Sequence, residues 1–258
     1  GCADSGIHGP SQGTGAMGPV TDAIVVPPEK ADVLIVMDDS CSMAPKQAAM
    51  AANLNSLLQS PFASDAQFGV TTTGRHTMTF GHLVGPSPYV TSVQANRLQE
   101  LQQAVMPGTG GSGISDQFAA ALAALTPPLS LGVNRGFMRD DARLGVIIVS
   151  EADDQSNTPI GPFMMQLSAL KPRQEQLTLS VMVPLQAIAP AGCTYRRSGL
   201  AIRATQAANQ LGGIVEEICS NDWAAALTAL GTRAMAPSSS FSLRAPVDQT
   251  SGSVTVSV

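Results

Sequence analysis

The sequence DVLIVMDDSCSM, residues 32–43, joins an apolar run to a cluster of oxygen-bearing side chains. The run from Val33 to Met37 has the length and β-branched content of a strand that is buried on both faces. Asp38, Ser40 and Ser42 follow at a spacing of two, so one carboxylate and two hydroxyls can converge just beyond the carboxyl end of that strand. Open α/β sheets bind ligands at this edge, and such oxygen donors suit Mg²⁺, Mn²⁺ or Ca²⁺ better than zinc. In the alternative interpretation, Asp38 caps the following helix and the serines satisfy backbone amides.

Strand-like and helix-like segments alternate along the rest of the chain. Their alternation predicts right-handed βαβ crossovers and a mostly parallel sheet with helices on both faces. Strands are expected at 67–73, 77–84 (a short edge strand), 144–149, 177–183 and 213–218. Helices are expected at 44–59, 91–105, 115–125, 161–170 and 200–211, with a last one from Trp223 that is capped by Asn221 or Asp222.

Composition divides the chain into three predicted parts. Residues 1–29, rich in Gly, Ser, Thr and Pro, read as a flexible linker, and residues 30–236 as the folded domain. Residues 237–258 alternate like half-exposed strands, which predicts a small C-terminal β element or the start of a further domain. The net charge of −5 argues against a nucleic-acid partner, and no apolar run approaches the ~20 residues of a membrane span.

The D-x-S-x-S string at 38–42, closing a buried strand, resembles the metal-ion-dependent adhesion site of von Willebrand factor A (vWA) domains. The resemblance covers about residues 30–236 and implies a Rossmann-like vWA fold. Three further features resemble exported vWA lipoproteins of myxobacteria-like bacteria: FMRDDARLGVIIVSEADD at 137–154, the pair Gly192-Cys193, and ICSNDWAAAL at 218–227.

The resemblance also implies a set of metal ligands from three loops. The first loop supplies Asp38, Ser40 and Ser42. Ser112 stands where the family usually has Thr, with Thr109 as the alternate. In the family, the third loop commonly supplies an Asp directly after the hydroxyl residue that ends its strand. In this sequence that position is Glu151. Asp153, or Asp154 as the alternate, can take the place of the missing Asp. Asp116, just beyond the second loop, is expected to cap the next helix.

The four cysteines, Cys2, Cys41, Cys193 and Cys219, show no zinc-binding spacing. Their positions alone leave Cys193 and Cys219 open either to a disulfide or to two buried thiols, whereas the resemblance implies that they form a disulfide. Cys2, near the start of a flexible segment, resembles the lipidated cysteine of a processed bacterial lipoprotein. This pattern predicts an exported protein, at the outer membrane, cell surface or periplasm of a Gram-negative bacterium.

The predicted function is divalent-metal-dependent adhesion: a cation, Mg²⁺ ahead of Mn²⁺ or Ca²⁺, binds an acidic side chain of a partner protein. One alternative is a structural vWA scaffold in an envelope complex, whose metal site is weak or unused. A phosphatase using Asp38 is less favoured, because Ser40 replaces the second acid that such an enzyme needs, and we expect no catalytic activity. The string GTGGSG at 108–113 matches a dinucleotide-binding pattern but does not directly follow a strand, so it is not expected to bind a nucleotide.

Overall fold

The described residues form an α/β fold around one six-stranded sheet with the strand order β3-β2-β1-β4-β5-β6. The structure, a computed structural model, describes residues 30–75, 78–195 and 199–237. The strands are β1 (Ala31–Met37), β2 (Ala66–Thr72), β3 (Val90–Thr91), β4 (Arg143–Val149), β5 (Leu177–Val183) and β6 (Val215–Glu217). All neighbouring pairs are parallel except β2 with β3. The predicted Rossmann-like, mostly parallel sheet is confirmed.

The register of the central strands aligns their carboxyl ends. Met37, the last residue of β1, pairs with Thr72 of β2 on one side and with Val149 of β4 on the other. The loops that leave these three strands therefore begin at the same edge of the sheet. The last five residues of β1 and the last six of β4 are buried and without polar side chains, so polar residues follow directly beyond this edge.

Six helices cover the two faces of the sheet in the described residues. They are α1 (Ala44–Leu58), α2 (Arg97–Ala104), α3 (Gln117–Leu125), α4 (Ile160–Ser168), α5 (Ile202–Gln210) and α6 (Trp223–Met235). Helices α1, α2 and α6 supply one apolar layer, with Leu54 and Leu230 at its centre. Helices α3, α4 and α5 supply the other layer, where the rings of Phe118 and Phe163 stack 4.0 Å apart. This cover on both faces explains why β1 from Val33 onward and β4 from Leu144 onward have no polar side chain.

Two glycines allow α6 to lie close to its neighbours. A Cβ on Gly145 of β4 would lie 2.6 Å from the Cβ of Ala234, and one on Gly231 would lie 3.0 Å from the carbonyl oxygen of Leu57. Helix α6 begins as predicted, with the Asp222 carboxylate accepting the Ala225 amide at 2.9 Å. Cys193 and Cys219 form a disulfide that encloses α5 and β6, as the resemblance implied.

The structure corrects three local predictions. The segment predicted as an edge strand at 77–84 forms turns and irregular structure where it is described, and the edge strand is Val90–Thr91. The predicted helix 91–105 starts only at Arg97. Asp116 lies at the cap position of α3, but its carboxylate forms an ion pair with Arg75 at 2.7 Å instead of capping the helix.

Other predictions fall on parts of the chain that the structure does not describe. The linker at 1–29, including Cys2, lies outside the described residues, as does the predicted C-terminal β element from residue 238 onward. Within the described ranges, no helix is both long and apolar enough to cross a membrane. The disulfide indicates an oxidising compartment, extracellular or periplasmic.

Candidate metal centre

The candidate site lies at the carboxyl edge of β1 and β4. The amide of Asp38 donates to the carbonyl of Val149 at 2.9 Å, which fixes the loop after β1 beside the loop after β4. The glycine-rich loop joins them, because the Gly111 amide donates to the Asp39 carbonyl at 3.0 Å. Gln47 of α1 holds both loops from behind: its side-chain amide donates to the carbonyls of Asp38 and Gly108.

The Asp38 carboxylate is buried and lies at the centre of the site. Its Oδ1 accepts the Ser40 amide at 2.8 Å, and its Oδ2 accepts the Ser150 hydroxyl at 2.6 Å. The Ser150 Oγ lies 3.2 Å from the Ser115 Oγ, which extends the cluster to the glycine-rich loop. Neither Ser150 nor Ser115 was predicted as a site residue, although Ser150 follows β4 directly and so had a positional signal.

Ser40 has a buried hydroxyl that its surroundings do not satisfy. The residue is 2% exposed, and its Oγ has no hydrogen-bond partner among the described residues. The serine does not cap a helix either, since no side-chain cap hydrogen bond begins the short 3-10 turn Cys41–Met43 or helix α1. A buried hydroxyl without a partner costs about 1–3 kcal/mol, so this oxygen favours a further ligand beside Asp38.

Glu151 connects the Ser42 hydroxyl to a buried lysine. The Ser42 Oγ donates to Glu151 Oε1, and Lys46 Nζ lies 3.1 Å from Glu151 Oε2. Glu151 is completely buried and Lys46 is 5% exposed. Lys46 also donates to the carbonyl of Thr194 at 2.6 Å, beside the disulfide. Sequence reasoning missed Lys46, whose position one helical turn after Ser42 was the available signal.

The acids after Glu151 are engaged at the amino ends of helices. Asp153 accepts the amides of Arg203 and Ala204, each at 3.0 Å, at the start of α5. Asp154 accepts the Phe118 amide at 2.9 Å at the start of α3, and its other oxygen lies 3.0 Å from Arg203 Nη2. Burial raises the pKa of Asp154, and the bond from Phe118 opposes that rise. These contacts turn both carboxylates toward helix ends, while Glu151 faces Ser42.

The Ser112 side chain contacts its own loop. Its hydroxyl donates to the carbonyl of Ile114 at 3.0 Å, and the side chain is half-buried. Thr109 is half-buried in the same loop. The structure therefore joins Asp38 to Ser40 and Ser150 in one hydrogen-bonded group, and Ser42 to Glu151 in a second. The metal roles of all the predicted ligands, including Ser112, Thr109, Asp153 and Asp154, stay predictions.

Asp39 lies on the other side of the loop after β1. Its carboxylate is buried, and the Thr73 hydroxyl approaches it at 3.4 Å. Burial raises the pKa of Asp39, and the charge of Asp38 adds to the rise. A Cβ on Gly111 would lie 2.2 Å from the Asp39 carboxyl carbon, so the glycine-rich loop can pack here only as glycine.

The donors at this edge fit a hard divalent cation. Carboxylates of Asp38 and Glu151 and hydroxyls of Ser40 and Ser42 are oxygen ligands of the type that Mg²⁺, Mn²⁺ and Ca²⁺ prefer. In the described part of the chain, no group of three or more His, Cys, Asp or Glu side chains is placed to hold a metal ion. An ion at this edge would consequently depend on serine hydroxyls, and the unpaired Ser40 Oγ is the feature that it would satisfy.

Comparison with solved structures identifies the fold. Two structures of proximal thread matrix protein 1 from the mussel byssus are similar to this chain over 80% of its length, at 13% identity. Their TM-scores are 0.55 and 0.54, and the second has a zinc-occupied adhesion-site (MIDAS) motif. The chain spans about half of that protein, 48% of its length. No family model matches the sequence, and no curated protein matches it. The similarity supports a vWA-like fold.

Proposed function

We propose that this protein is a divalent-metal-dependent binding module whose metal centre captures a carboxylate of a partner protein. The observation that carries the proposal is the buried, unpaired Ser40 hydroxyl beside the Asp38 carboxylate. The vWA-like fold supports it, since this fold carries a metal-occupied site in the byssus protein. The same proposal places the protein outside the cytoplasm, at the outer membrane, cell surface or periplasm, with Cys2 as its lipid anchor.

The residues at this edge would supply both a negatively charged and neutral oxygen ligands to the ion. Ser40 and Ser42 would offer hydroxyl oxygens, and Asp38 is held in place by the Ser40 amide and the Ser150 hydroxyl. A bound Mg²⁺ would supply an electrophilic centre with an exchangeable water position, which an anionic ligand can occupy. Neutral hydroxyl ligands preserve most of the positive charge of such an ion and so favour a partner's Asp or Glu. We propose binding and not catalysis, because Ser40 stands where a phosphatase of this type needs its second acid.

The buried Lys46–Glu151 pair favours a second candidate, a vWA-like scaffold whose metal site is weak. The ammonium of Lys46 lies 3.1 Å from Glu151 and already neutralises this carboxylate. An ion that used Glu151 would need to share it with Lys46. In this second candidate the protein would act through ordinary surface contacts in an envelope complex.

Retention on a carboxylate surface separates these candidates. The chain carries a net charge of −5, so electrostatic repulsion opposes its binding to a carboxymethyl-dextran surface. We expect retention in Mg²⁺ that is lost in EDTA and lost in Asp38→Asn, with no retention on unmodified dextran. Equal retention of the parent chain and Asp38→Asn, or none in Mg²⁺, would reject the adhesion proposal and favour the scaffold.

A further inference from the structure

A cavity of about 330 Å³ opens beside the metal centre on the side of Asp39. It lies between the carboxyl end of β2, helix α2 and the glycine-rich loop, and its walls include Asp39, Thr72, Gln103, Gly110 and Gly111. Asp38, Ser40, Ser42 and Glu151 do not line it, so it is a separate site. Its volume is at the lower end of the ~300–1,000 Å³ of small-ligand pockets, which suits one side chain better than a nucleotide.

A buried carboxylate forms one wall of this cavity. Asp39 is 5% exposed, and its carboxyl carbon lies directly against the backbone of Gly111, where a Cβ would come within 2.2 Å. The hydroxyls of Thr72 and Thr73 donate to it, the latter over a long 3.4 Å, and neither brings a positive charge. Removing a carboxylate from water is costly unless a hydrogen-bonding or charged partner compensates it.

The lining of the cavity is selective for positive charge. Asp39 is the one ionisable side chain among its described lining residues, and none of them is basic. Arg75, a nearby cation on the chain after β2, is paired with Asp116. Thr72 and Gln103 add oxygen acceptors, and Val84, Ala104 and Pro107 supply an apolar wall for a methylene stem.

We propose that this cavity binds the side chain of a lysine or arginine, with the ammonium or guanidinium group paired to Asp39. Binding of the basic side chain needs no metal ion. Only its role as a second contact for the same partner, next to the carboxylate held at the metal centre, rests on the proposed function. The partner would then present an acidic and a basic side chain close together, which makes its recognition more specific than a single carboxylate allows.

The test uses a small probe in EDTA, so that the metal centre does not contribute. N-acetyl-arginine methylamide is titrated into the full chain and followed by NMR. We expect saturable shifts of the Gly110 and Gly111 amides. The control probe is N-acetyl-citrulline methylamide, which has nearly the same shape but no charge. We expect it to bind the parent chain at least about tenfold more weakly than the arginine probe does. The arginine probe should bind Asp39→Asn more weakly by a similar factor.

A pair of surface variants keeps the test decisive if Asp39→Asn folds poorly. Gln103 lines the cavity from an exposed position on α2, where charge changes should not disturb the core. Gln103→Glu should tighten arginine binding and Gln103→Lys should weaken it, each by about threefold. Equal binding of the arginine and citrulline probes, or no effect of these charges, would overturn the proposal. Arginine binding in a chain that fails on the carboxylate surface would reject the proposed function and retain this site.

Discussion

Replacing Ser40 with alanine should have opposite effects with and without a divalent ion. In EDTA the Ser40 hydroxyl is buried, 2% exposed and unpaired. Because an unpaired buried hydroxyl costs about 1–3 kcal/mol, Ser40→Ala should raise the free energy of unfolding by about 1 kcal/mol. In Mg²⁺ at ~100 times Kd, the parent chain should gain about 2.7 kcal/mol from ion binding. The variant should lose most of that gain and become the less stable of the two.

Chemical unfolding of both chains, in EDTA and in Mg²⁺, measures this reversal. Ser42→Ala is the matched control, because the Ser42 hydroxyl donates to the Glu151 carboxylate. It should lower the free energy of unfolding by about 1.5–3 kcal/mol already in EDTA, the range for hydrogen bonds to charged groups. A loss of more than ~1 kcal/mol for Ser40→Ala in EDTA would refute the reasoning, since it would mean that the hydroxyl has a protein partner.

Three further predictions concern other buried charges. Lys46→Met removes the cation that pairs with the buried Glu151 carboxylate. The free energy of unfolding in EDTA should therefore fall by about 3 kcal/mol, and the Mg²⁺ affinity measured by calorimetry should rise. An unchanged affinity would mean that Glu151 does not reach the ion. Asp154→Ala removes the acceptor of the Phe118 amide and the partner of Arg203. The free energy of unfolding should therefore fall by about 2–3 kcal/mol, equally in EDTA and in Mg²⁺. A loss of stability in Mg²⁺ alone would instead make Asp154 a metal ligand. Burial raises the pKa of Asp32 from 3.8 to about 6, so the carboxyl proton is bound more tightly in the native state than in the unfolded chain. As the pH rises from about 4 to 6, the free energy of unfolding should therefore fall by up to about 3 kcal/mol. Asp32→Asn should flatten this decline in denaturant titrations, and an unchanged slope would assign it to other groups.

The fold was predictable where burial leaves a strong pattern. The apolar runs that end at Met37 and Val149 indicated two central strands, and the structure places them side by side in register. The edge of the sheet was not predictable in this way. Its strand, Val90–Thr91, has only two residues, too few to show an alternating pattern. The segment 77–84, whose sequence predicted a strand, contacts β2 through a hydrogen bond from the Val84 amide to the Val70 carbonyl.

The candidate site was predictable in its first loop and less so in the others. Spacing at the end of β1 indicated Asp38, Ser40 and Ser42 as candidate ligands. The structure joins Asp38 to the Ser40 amide, and the binding of an ion by these residues stays a prediction. The acids at 153 and 154 could not be assigned from spacing, since their partners are the amino ends of α3 and α5, far away in sequence. Lys46 was missed for the same reason: a helix position shows its partner only after the helix packs against the loop of Glu151.

The buried charges of this chain also affect how strongly the proposed site would bind a metal ion. Lys46 already provides Glu151 with a positive partner inside the protein. An ion that used Glu151 would compete with this ammonium for that carboxylate. In our proposal, the balance between ion and lysine decides between an adhesion module and a scaffold.

Isothermal titration of MgCl₂ and MnCl₂ into the parent chain and into Asp38→Asn tests the central claim most directly. Asn keeps the shape of Asp38 and can still accept the Ser40 amide, so the two chains differ mainly in one charge. The account predicts one ion per parent chain and at least a ~30-fold loss of affinity in the variant, equal to about 2 kcal/mol. Equal binding by both chains, or no binding by the parent chain, would contradict it.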